Sequence, residues 1–542
     1  MSALRRWGWI GAWALMLGVA LATRPPLPLD ETRYLAVAWE MWARGDLLVP
    51  HLNGVPYSHK PPLLFWLMHA GWAVAGVNAW WPRLVPPLFA LATVGLCFAL
   101  ARRLWPGRHE TAPATAWLLT GTLLWALYAT VLFFDPLVAF FTSLGVLGLV
   151  RAHERARGGW MLVGLAVGLG LLAKGPALLA WLAPPALAAP WWSGTARARP
   201  ARWYGALVLA LAGGTALAAA WALPAAAAGG PEYARAILWG QTAGRVTSSF
   251  AHARPWWWYL ALMPLFLLPW TLWPPAWRGA SRAVRAAAAD PGVRLCLAWV
   301  LPGLAIFSLV SGKQPHYLLP MLPAMGLLVA RGMAAAPSAG VSPAAAVPAA
   351  LLAGLPVAAW IAIGMAGEAE GVLAQAPAPA WLLLPVAAAL WLARARPGGP
   401  WGPGLGWLVL LAAFHLALAP GLRAAYGTAD TARVLAALER AGRPVAHAGK
   451  YHGQFHFAGR LRRPLRRVAT ADLPEWARRW PHGAAVVYYE TWSAARAAVR
   501  AAAVAGLRPL HAGPFRGDGL AIWPAAALGA RPDLVLAGAK RR

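Results

Sequence analysis

The chain has 542 residues, of which 60% are hydrophobic and only 12% charged, and its mean hydropathy is +0.52. Soluble domains carry about 25% charged residues, so a soluble multidomain enzyme, a disordered chain and a fibrous protein are excluded, and a polytopic membrane protein remains. The net charge of +30, from 48 basic and 18 acidic residues, would suggest nucleic acid in a soluble protein. Here Arg-rich loops that set topology and touch anionic lipid account for it, and no nucleic-acid partner is expected.

The first apolar run, 7–22, follows Arg5-Arg6 and ends in Ala20-Leu21-Ala22, which resembles a cleavage site. A multispan protein usually keeps its first helix, so this run is expected to stay as an anchor. Further runs long enough to span follow at 83–101, 111–129, 136–150, 159–173, 176–192, 204–224, 256–276, 295–311, 318–334, 346–366, 379–393 and 403–420. The 35 Trp residues suit so many membrane–water interfaces. Cys97 and Cys296, the two cysteines, lie inside apolar runs, so neither a disulfide nor thiol chemistry is indicated.

One more apolar stretch, 61–76, is decided by parity. If it does not cross, the Arg clusters at 102–108, 151–157, 197–202, 278–294 and 394–396 all fall inside. The loops with Asp135, Lys174, Glu232, Lys313 and Glu368/Glu370 then all fall outside. Inside segments carry 18 Arg and 3 acids, and outside segments before residue 420 carry 10 basic and 8 acidic residues. If 61–76 crosses, every later loop inverts and the positive-inside rule fails. The stretch is therefore predicted to be an interfacial helix. Thirteen crossings from an inside N-terminus leave the C-terminus outside.

The predicted fold is an all-α polytopic membrane domain over 1–420, with outer loops at 24–82 and 225–255. A small α/β domain follows over 421–542, where β-like runs (484–489, 520–523) alternate with helix-like ones (428–441, 492–505). The Ala/Pro/Ser/Gly-rich stretch 336–349 reads as a linker.

The outer face gathers the chemically unusual residues. The first loop opens with Asp30-Glu31-Thr32-Arg33-Tyr34 and ends in Tyr57-Ser58-His59-Lys60-Pro61-Pro62. Adjacent carboxylates near a membrane are functional candidates: one as general base, or both on a divalent cation. Helix capping explains Asp30 but not the nearby Arg33 and Lys60. The chain has five lysines against 43 arginines. Of these, Lys60, Lys174 and Lys313 each sit beside Pro or Gly at the outer end of an apolar run. A compact ammonium suits a phosphate, and a random anchor in this chain would be Arg, so the three are read as phosphate binders rather than snorkelling anchors. Asp135, in Phe134-Asp135-Pro136, is either a second catalytic carboxylate or an N-cap with Pro136 at the first helical position. Arg245 and Arg254 are further phosphate contacts, and His252 is a candidate ligand with a weak signal. Tyr317, after His316, either bonds a phosphate or belongs to an aromatic belt. In the tail, the His-rich Tyr451–Phe457 stretch lacks a second metal-spaced group, so zinc is unsupported.

These blocks resemble GT-C glycosyltransferases, in particular bacterial aminoarabinose transferases of lipid A and the related protein O-mannosyltransferases. The resemblance runs through the first outer loop, Phe134-Asp135-Pro136, Lys174-Gly175, His252 to Tyr259, and Lys313-Gln314-Pro315-His316-Tyr317-Leu318-Leu319-Pro320, in that order. It implies a polyprenyl-phosphate sugar donor, inversion at the anomeric carbon, and a periplasm-facing active site in the bacterial inner membrane. Lipid A, another glycan or protein is the implied acceptor. It also implies Asp30 as leading catalytic carboxylate, with Asp135 second; Glu31, beside Asp30, is a further candidate. Arg33, Lys60, Arg245 and Tyr317 are the implied donor-phosphate ligands, to which the scarcity of lysine adds Lys174 and Lys313. The chain departs from the family pattern at His59, where aminoarabinose transferases carry Glu near a metal. His59 and His252 are thus the candidate ligands for a divalent metal, and no other cofactor is implied. A flippase or transporter of a phosphorylated lipid is the alternative. It should place ionisable groups at mid-bilayer, whereas here they gather at outer helix ends. The transferase reading requires Asp30, Lys60, Lys174 and Lys313 to converge in one outer pocket.

Overall fold

The computed structural model describes residues 3–240, 253–334 and 399–541. The predicted runs 346–366 and 379–393, the linker 336–349, Glu368/Glu370, Arg394/Arg396, Arg245 and His252 lie outside the described residues. The chain forms two compact units. Of the described residues, the first comprises 3–20, 58–240, 253–334 and 399–413, and the second comprises 21–57 and 414–541.

The first unit is a helical bundle. Its centre is the helix Asp135–His153, apolar on every side and buried along most of its length, as a helix without a polar face must be. Its two hydroxyls turn inward, and Ser143 satisfies its own by bonding the Ala139 carbonyl at 2.8 Å. The helices Trp80–Leu104 and Gly159–Lys174 pack on either side. Glycines set the spacing on the second side: a Cβ on Gly148 would stand 2.8 Å from the Gly159 carbonyl oxygen, and one layer further out a Cβ on Gly214, in the helix Pro200–Arg235, would stand 2.6 Å from that of Gly164. Small residues bring helix backbones together where lipid supplies no hydrophobic drive.

Among the described residues, six helical stretches are long and apolar enough to cross a membrane. Several predicted runs are instead broken. The run 111–129 splits into Thr111–Thr120 and Leu123–Tyr128, with Gly121 and an extended Thr122 between them. The run 256–276 becomes Trp258–Phe266, a 3-10 turn Trp270–Leu272 and the start of Pro274–Arg285. Pro269 and Pro274 cannot donate to a continuing helix and force the breaks. The run 318–334 begins as a 3-10 helix, Pro315–Met321, and continues as Leu322–Met333. Conversely, the predicted outer loop 225–255 begins as helix: Pro200–Arg235 runs on into it, kinked at Gly230 with φ 83°. The stretch 61–76 forms the helix Leu63–Ala75 of 13 residues. That is about 20 Å long, too short for a ~30 Å hydrocarbon core.

The second unit joins the start of the first predicted loop to the C-terminal region. The helix Asp30–Arg44 is followed by a small hairpin, β1 His51–Leu52 and β2 Val55–Pro56. Both dock on the C-terminal region. The Trp39 indole donates to the Leu461 carbonyl at 2.8 Å, and Asn53 exchanges two bonds with the Leu465 backbone, at 3.0 and 2.8 Å. A Cβ at Gly453, whose φ is 77°, would strike Ala36 and Leu52 at 2.8 and 2.6 Å. The sheet contains β3 Val445–Ala448, β4 Arg466–Val468, β5 Ala484–Tyr489, β6 His511–Phe515 and β7 Asp518–Pro524, in the order β4-β3-β5-β7-β6. The first three are parallel, and β5-β7-β6 are antiparallel. All six residues of β5 are buried. Ala485, Val487 and Tyr489 enter one core, and Ala484, Val486 and Tyr488 the other, as a strand covered on both faces requires. The two predicted β-runs are the central strands β5 and β7, and the predicted helices appear as Ala429–Arg440 and Trp492–Val504. Strands β3, β4 and β6 carry no clear signal in the sequence: they are short, and apart from Val445 and Val468 they consist of Ala, His, Arg, Gly, Pro and Phe.

Candidate active site

Within the bundle, charged groups divide between two ends. At one end Arg103 pairs with Glu154, His153 bonds the Ser193 hydroxyl at 2.9 Å, and Asp290 accepts from Arg331 and from the Trp105 indole, each at 3.0 Å. The opposite end of the central helix begins at Asp135, the first helical residue, and no side chain caps that terminus. The Asp135 carboxylate does not cap. It accepts from Lys174 Nζ at 2.5 Å, and His316 Nε2 stands 3.9 Å from its second oxygen. Only 3% of Asp135 is exposed, so the pair is held out of water. Lys174 also lies 4.6 Å above the Tyr317 ring centroid, a cation–π contact that adds to its positioning. The His316 ring packs on Phe133 and Tyr128 at 4.9 and 5.4 Å. Lys60 Nζ lies 5.6 Å from the centroid of Phe134.

Lys174 ends a helix, and the next residue, Gly175, turns the chain with φ 74° and ψ −153°, a conformation open to glycine. His316 and Tyr317 come from the 3-10 helix that Pro315 initiates. Three separate chain segments thus meet around one buried carboxylate. Removing one partner from such a pair costs about 3–5 kcal/mol, because a bare charge is left behind.

Lys313 departs from expectation. Its ammonium donates to the carbonyls of Val310 at 2.5 Å and Arg254 at 3.0 Å, and only 3% of the residue is exposed. It fastens the 253–254 strand segment to the end of the helix Pro291–Leu309. A bridge between Ala253 and Gly312 closes the same junction. Its donors face carbonyls rather than an open phosphate site.

The second unit holds the first-loop residues. Asp30 opens its helix without capping it. Its carboxylate is bonded by Arg33 and by the Tyr34 hydroxyl at 3.4 Å, and its side chain is 43% exposed. Arg33 is more enclosed. Burial pulls its pKa down, but the charges of Tyr57, Asp30 and Tyr34 outweigh this and hold it above the ordinary value. It is therefore a fixed cation beside an accessible acid. Glu31, expected as a further catalytic carboxylate, is fully buried. It accepts from Arg24 at 2.6 Å and from the Leu27 N–H at 2.7 Å, and so pins the turn that leads into the helix. Helical spacing explains the difference: adjacent residues lie about 100° apart, so Asp30 and Glu31 face different surroundings.

A divalent metal finds no ready cage. His59 is exposed, Asp135 is engaged by a lysine, and among the described residues no three His, Cys, Asp or Glu side chains stand together. Sequence reasoning missed two neighbours of the site: Phe134 as the ring beneath Lys60, and His316 as the second cation-capable group on Asp135. Both flank singled-out residues, so proximity in sequence was the available signal.

Comparison with known proteins defines the class first. The structure of ArnT from Cupriavidus metallidurans in the apo state superposes with a TM-score of 0.71 at 20% identity, covering 97% of this chain and 99% of that one. The same protein bound to undecaprenyl phosphate gives 0.70 at 21% identity, covering 96% and 98%. The expected GT-C fold is thus the fold of this chain, and the apolar helices make it a multi-pass membrane protein. Sequence relatives are more particular. A family model described as dolichyl-phosphate-mannose-protein mannosyltransferase matches residues 59–221. Undecaprenyl phosphate-alpha-4-amino-4-deoxy-L-arabinose arabinosyl transferase 2 of Pseudomonas fluorescens is 33% identical over 345 residues, 61% of this chain and 60% of the relative. The corresponding Pseudomonas aeruginosa transferase is 37% identical over 311 residues, 56% and 55%. The alignments span less than two thirds of these relatives. The resemblance to aminoarabinose transferases drawn from the motifs is found again in both sequence and fold.

Proposed function

We propose that this chain is an integral membrane glycosyltransferase of the bacterial inner membrane. It moves a sugar from a polyprenyl-phosphate donor to an acceptor at the periplasmic face, such as lipid A, another glycan or protein. One observation carries the reading: Lys174, His316 and Tyr317, from distant segments, gather with Asp135 at the bundle end opposite the Arg-rich loops. The relatives' names, which specify an undecaprenyl phosphate-linked aminopentose, support the donor class.

The reaction breaks the bond between the anomeric carbon and the phosphate oxygen. The electron pair leaves with the lipid phosphate, and the acceptor oxygen attacks the same carbon from the opposite side, inverting it. Negative charge grows on the phosphate, so prearranged cations stabilise the transition state more than the ground state. Arg33 and Lys60, with Tyr317 as hydroxyl donor, fill that role. Lys174 pairs with Asp135 and orders Tyr317. Asp30, the accessible carboxylate, takes the proton from an acceptor hydroxyl; an acceptor phosphate brings none, and Asp30 then orients it. Glu31 and Lys313 hold the scaffold. The polyprenyl chain binds between helices by apolar burial, about 25 cal/mol per Å2. Thirteen crossings, an inside N-terminus and an outside 421–542 domain complete the proposed topology. Arg245 and His252 stay in the proposal as outer-loop residues.

The Asp30→Asn variant tests the chemistry. Transfer from a polyprenyl-phosphate sugar should fall by about 100-fold or more, with undecaprenyl phosphate binding unchanged. Undiminished transfer overturns Asp30 as the acid–base group.

A further inference from the structure

The second unit contains a cavity of about 710 Å3 that the transferase chemistry above does not use. Its lining includes Lys450, His452, Arg467, Tyr488 and Arg516, with Leu29 immediately before Asp30. These residues lie toward one end of the sheet, at the carboxyl ends of its parallel strands. Lys450 follows the end of β3, Arg467 lies in β4, Tyr488 is near the end of β5, and Arg516 sits in the two-residue turn between β6 and β7. The chain leaves β3 toward β4 on one side and leaves β5 toward β7 and β6 on the other. A crevice at the carboxyl ends of two such parallel strands is where open α/β sheets bind ligands.

The charge is one-sided. Among the described residues, Lys450, Arg467 and Arg516 have no ion-pair partner, while the lining acid Asp518 is held by Lys540 at 2.6 Å. Lysine is rare in this chain, with five against 43 arginines; of the two C-terminal ones, Lys450 lines the cavity and Lys540 holds the lining Asp518. Arg516 adopts a left-handed conformation, φ 58°, at a turn position that ordinarily favours Gly, Asn or Asp. The floor is made of buried polar groups: Gln454 donates to the Tyr488 hydroxyl at 2.9 Å. His452 is held below its ordinary pKa by burial and by the charges of Arg33, Arg516 and Lys450, against the opposing pull of Asp30. The cavity and the start of the Asp30–Arg44 helix therefore share one electrostatic environment.

We infer that this cavity binds a phosphate-bearing sugar, with Lys450, Arg467 and Arg516 around the phosphate and the polar floor beneath the ring. Three cations suit a dianionic phosphate, and the volume exceeds what phosphate alone fills. Its assignment as the subsite for an anionic acceptor headgroup, held beside Asp30, rests on the transferase reading; the phosphosugar binding does not.

The test uses the purified full chain in detergent, with glucose 1-phosphate, glucose and inorganic phosphate as probes in calorimetry, and the Lys450→Gln/Arg516→Gln double variant. Both residues are exposed, so the fold should persist, and an unchanged melting temperature checks it. Glucose 1-phosphate should bind, glucose should not, and the double variant should weaken binding at least tenfold. Affinity within twofold of wild type in the variant overturns the inference, as does equal affinity for inorganic phosphate. Equal loss of binding to phosphatidylglycerol vesicles, with none for glucose 1-phosphate, also overturns it in favour of a lipid-surface patch. In a transfer assay the variant should raise the KM for a phosphorylated acceptor tenfold and leave the donor KM unchanged. Phosphosugar binding lost in the variant, in a chain that never transfers sugar, sustains the cavity and sinks the transferase. Normal transfer with unaltered acceptor KM and unaltered binding does the reverse.

Discussion

At the scale of single residues, the decisive arrangement is the Asp135–Lys174 pair, with Asp135 3% exposed. A buried pair is weak evidence for stability, because desolvation offsets much of the attraction. What it gives is a fixed charge geometry, and Tyr317 shares that geometry through its ring. Stability and function separate experimentally. Lys174→Met alone should destabilise the protein by about 3–5 kcal/mol, since it strands the carboxylate. The double variant Lys174→Met/Asp135→Leu should recover most of the melting temperature, read by intrinsic fluorescence of the detergent-solubilised chain, and remain inactive in transfer. Recovered activity in the double variant would make the pair purely structural. The placement of Lys174 at a helix end was legible in the sequence, from its rarity and its Gly-Pro neighbours. Its partner was not, because 39 residues separate the two and nothing in either segment's own pattern names the other.

Among elements, the loop and short helix after β3 behave as one polar cluster inside an otherwise apolar domain. His456 is 2% exposed and receives the Tyr451 hydroxyl at 2.7 Å from Nδ1. Burial holds its pKa down to about 4, with a backbone contact to Arg463 opposing this. The folded value thus lies below the unfolded one, about 6.5. The associated stability is complete above about pH 6.5 and is lost as pH falls to about 4, because the unfolded chain takes up the proton first. The loss should reach about 3 kcal/mol. The protection factors of 451–461 in the full chain, corrected for the intrinsic pH dependence of amide exchange, should fall across that window, and the His456→Gln variant should remove most of the fall. Protection factors that stay flat between pH 7 and 4 contradict the buried neutral imidazole. Elements of this domain were legible where both faces of a strand are apolar, as in β5, and illegible where Ala and Arg make up a strand three or four residues long, as in β3 and β4. In the bundle, the apolar runs were legible but their breaks were not, because hydropathy over a long run does not register a single Pro269 or Gly121.

For the whole molecule, topology is the property that orders everything else. The charge asymmetry predicts the Arg-rich ends inside and residues 421–542 outside. Both native cysteines are buried, so single engineered ones report cleanly. Arg508→Cys should react with a membrane-impermeant maleimide in cells whose outer membrane alone is permeabilised, and Arg155→Cys should react only after lysis. The opposite pattern would invert the topology and remove the periplasmic reading.

The sequence by itself determined the membrane class, the clustering of arginines between apolar runs, the shortness of the apolar stretch 61–76 and the identity of the scarce acids and lysines. These follow from composition and from periodicity along the chain, which local physics reads directly. Only the tertiary structure decided that Lys174 meets Asp135, that Glu31 and Lys313 are tied into the scaffold, and that the first loop packs with the C-terminal sheet beside a basic cavity. Each depends on which distant segments share a low-dielectric interior. There a charge must find its partner or lose its solvation, and a linear pattern does not encode that choice.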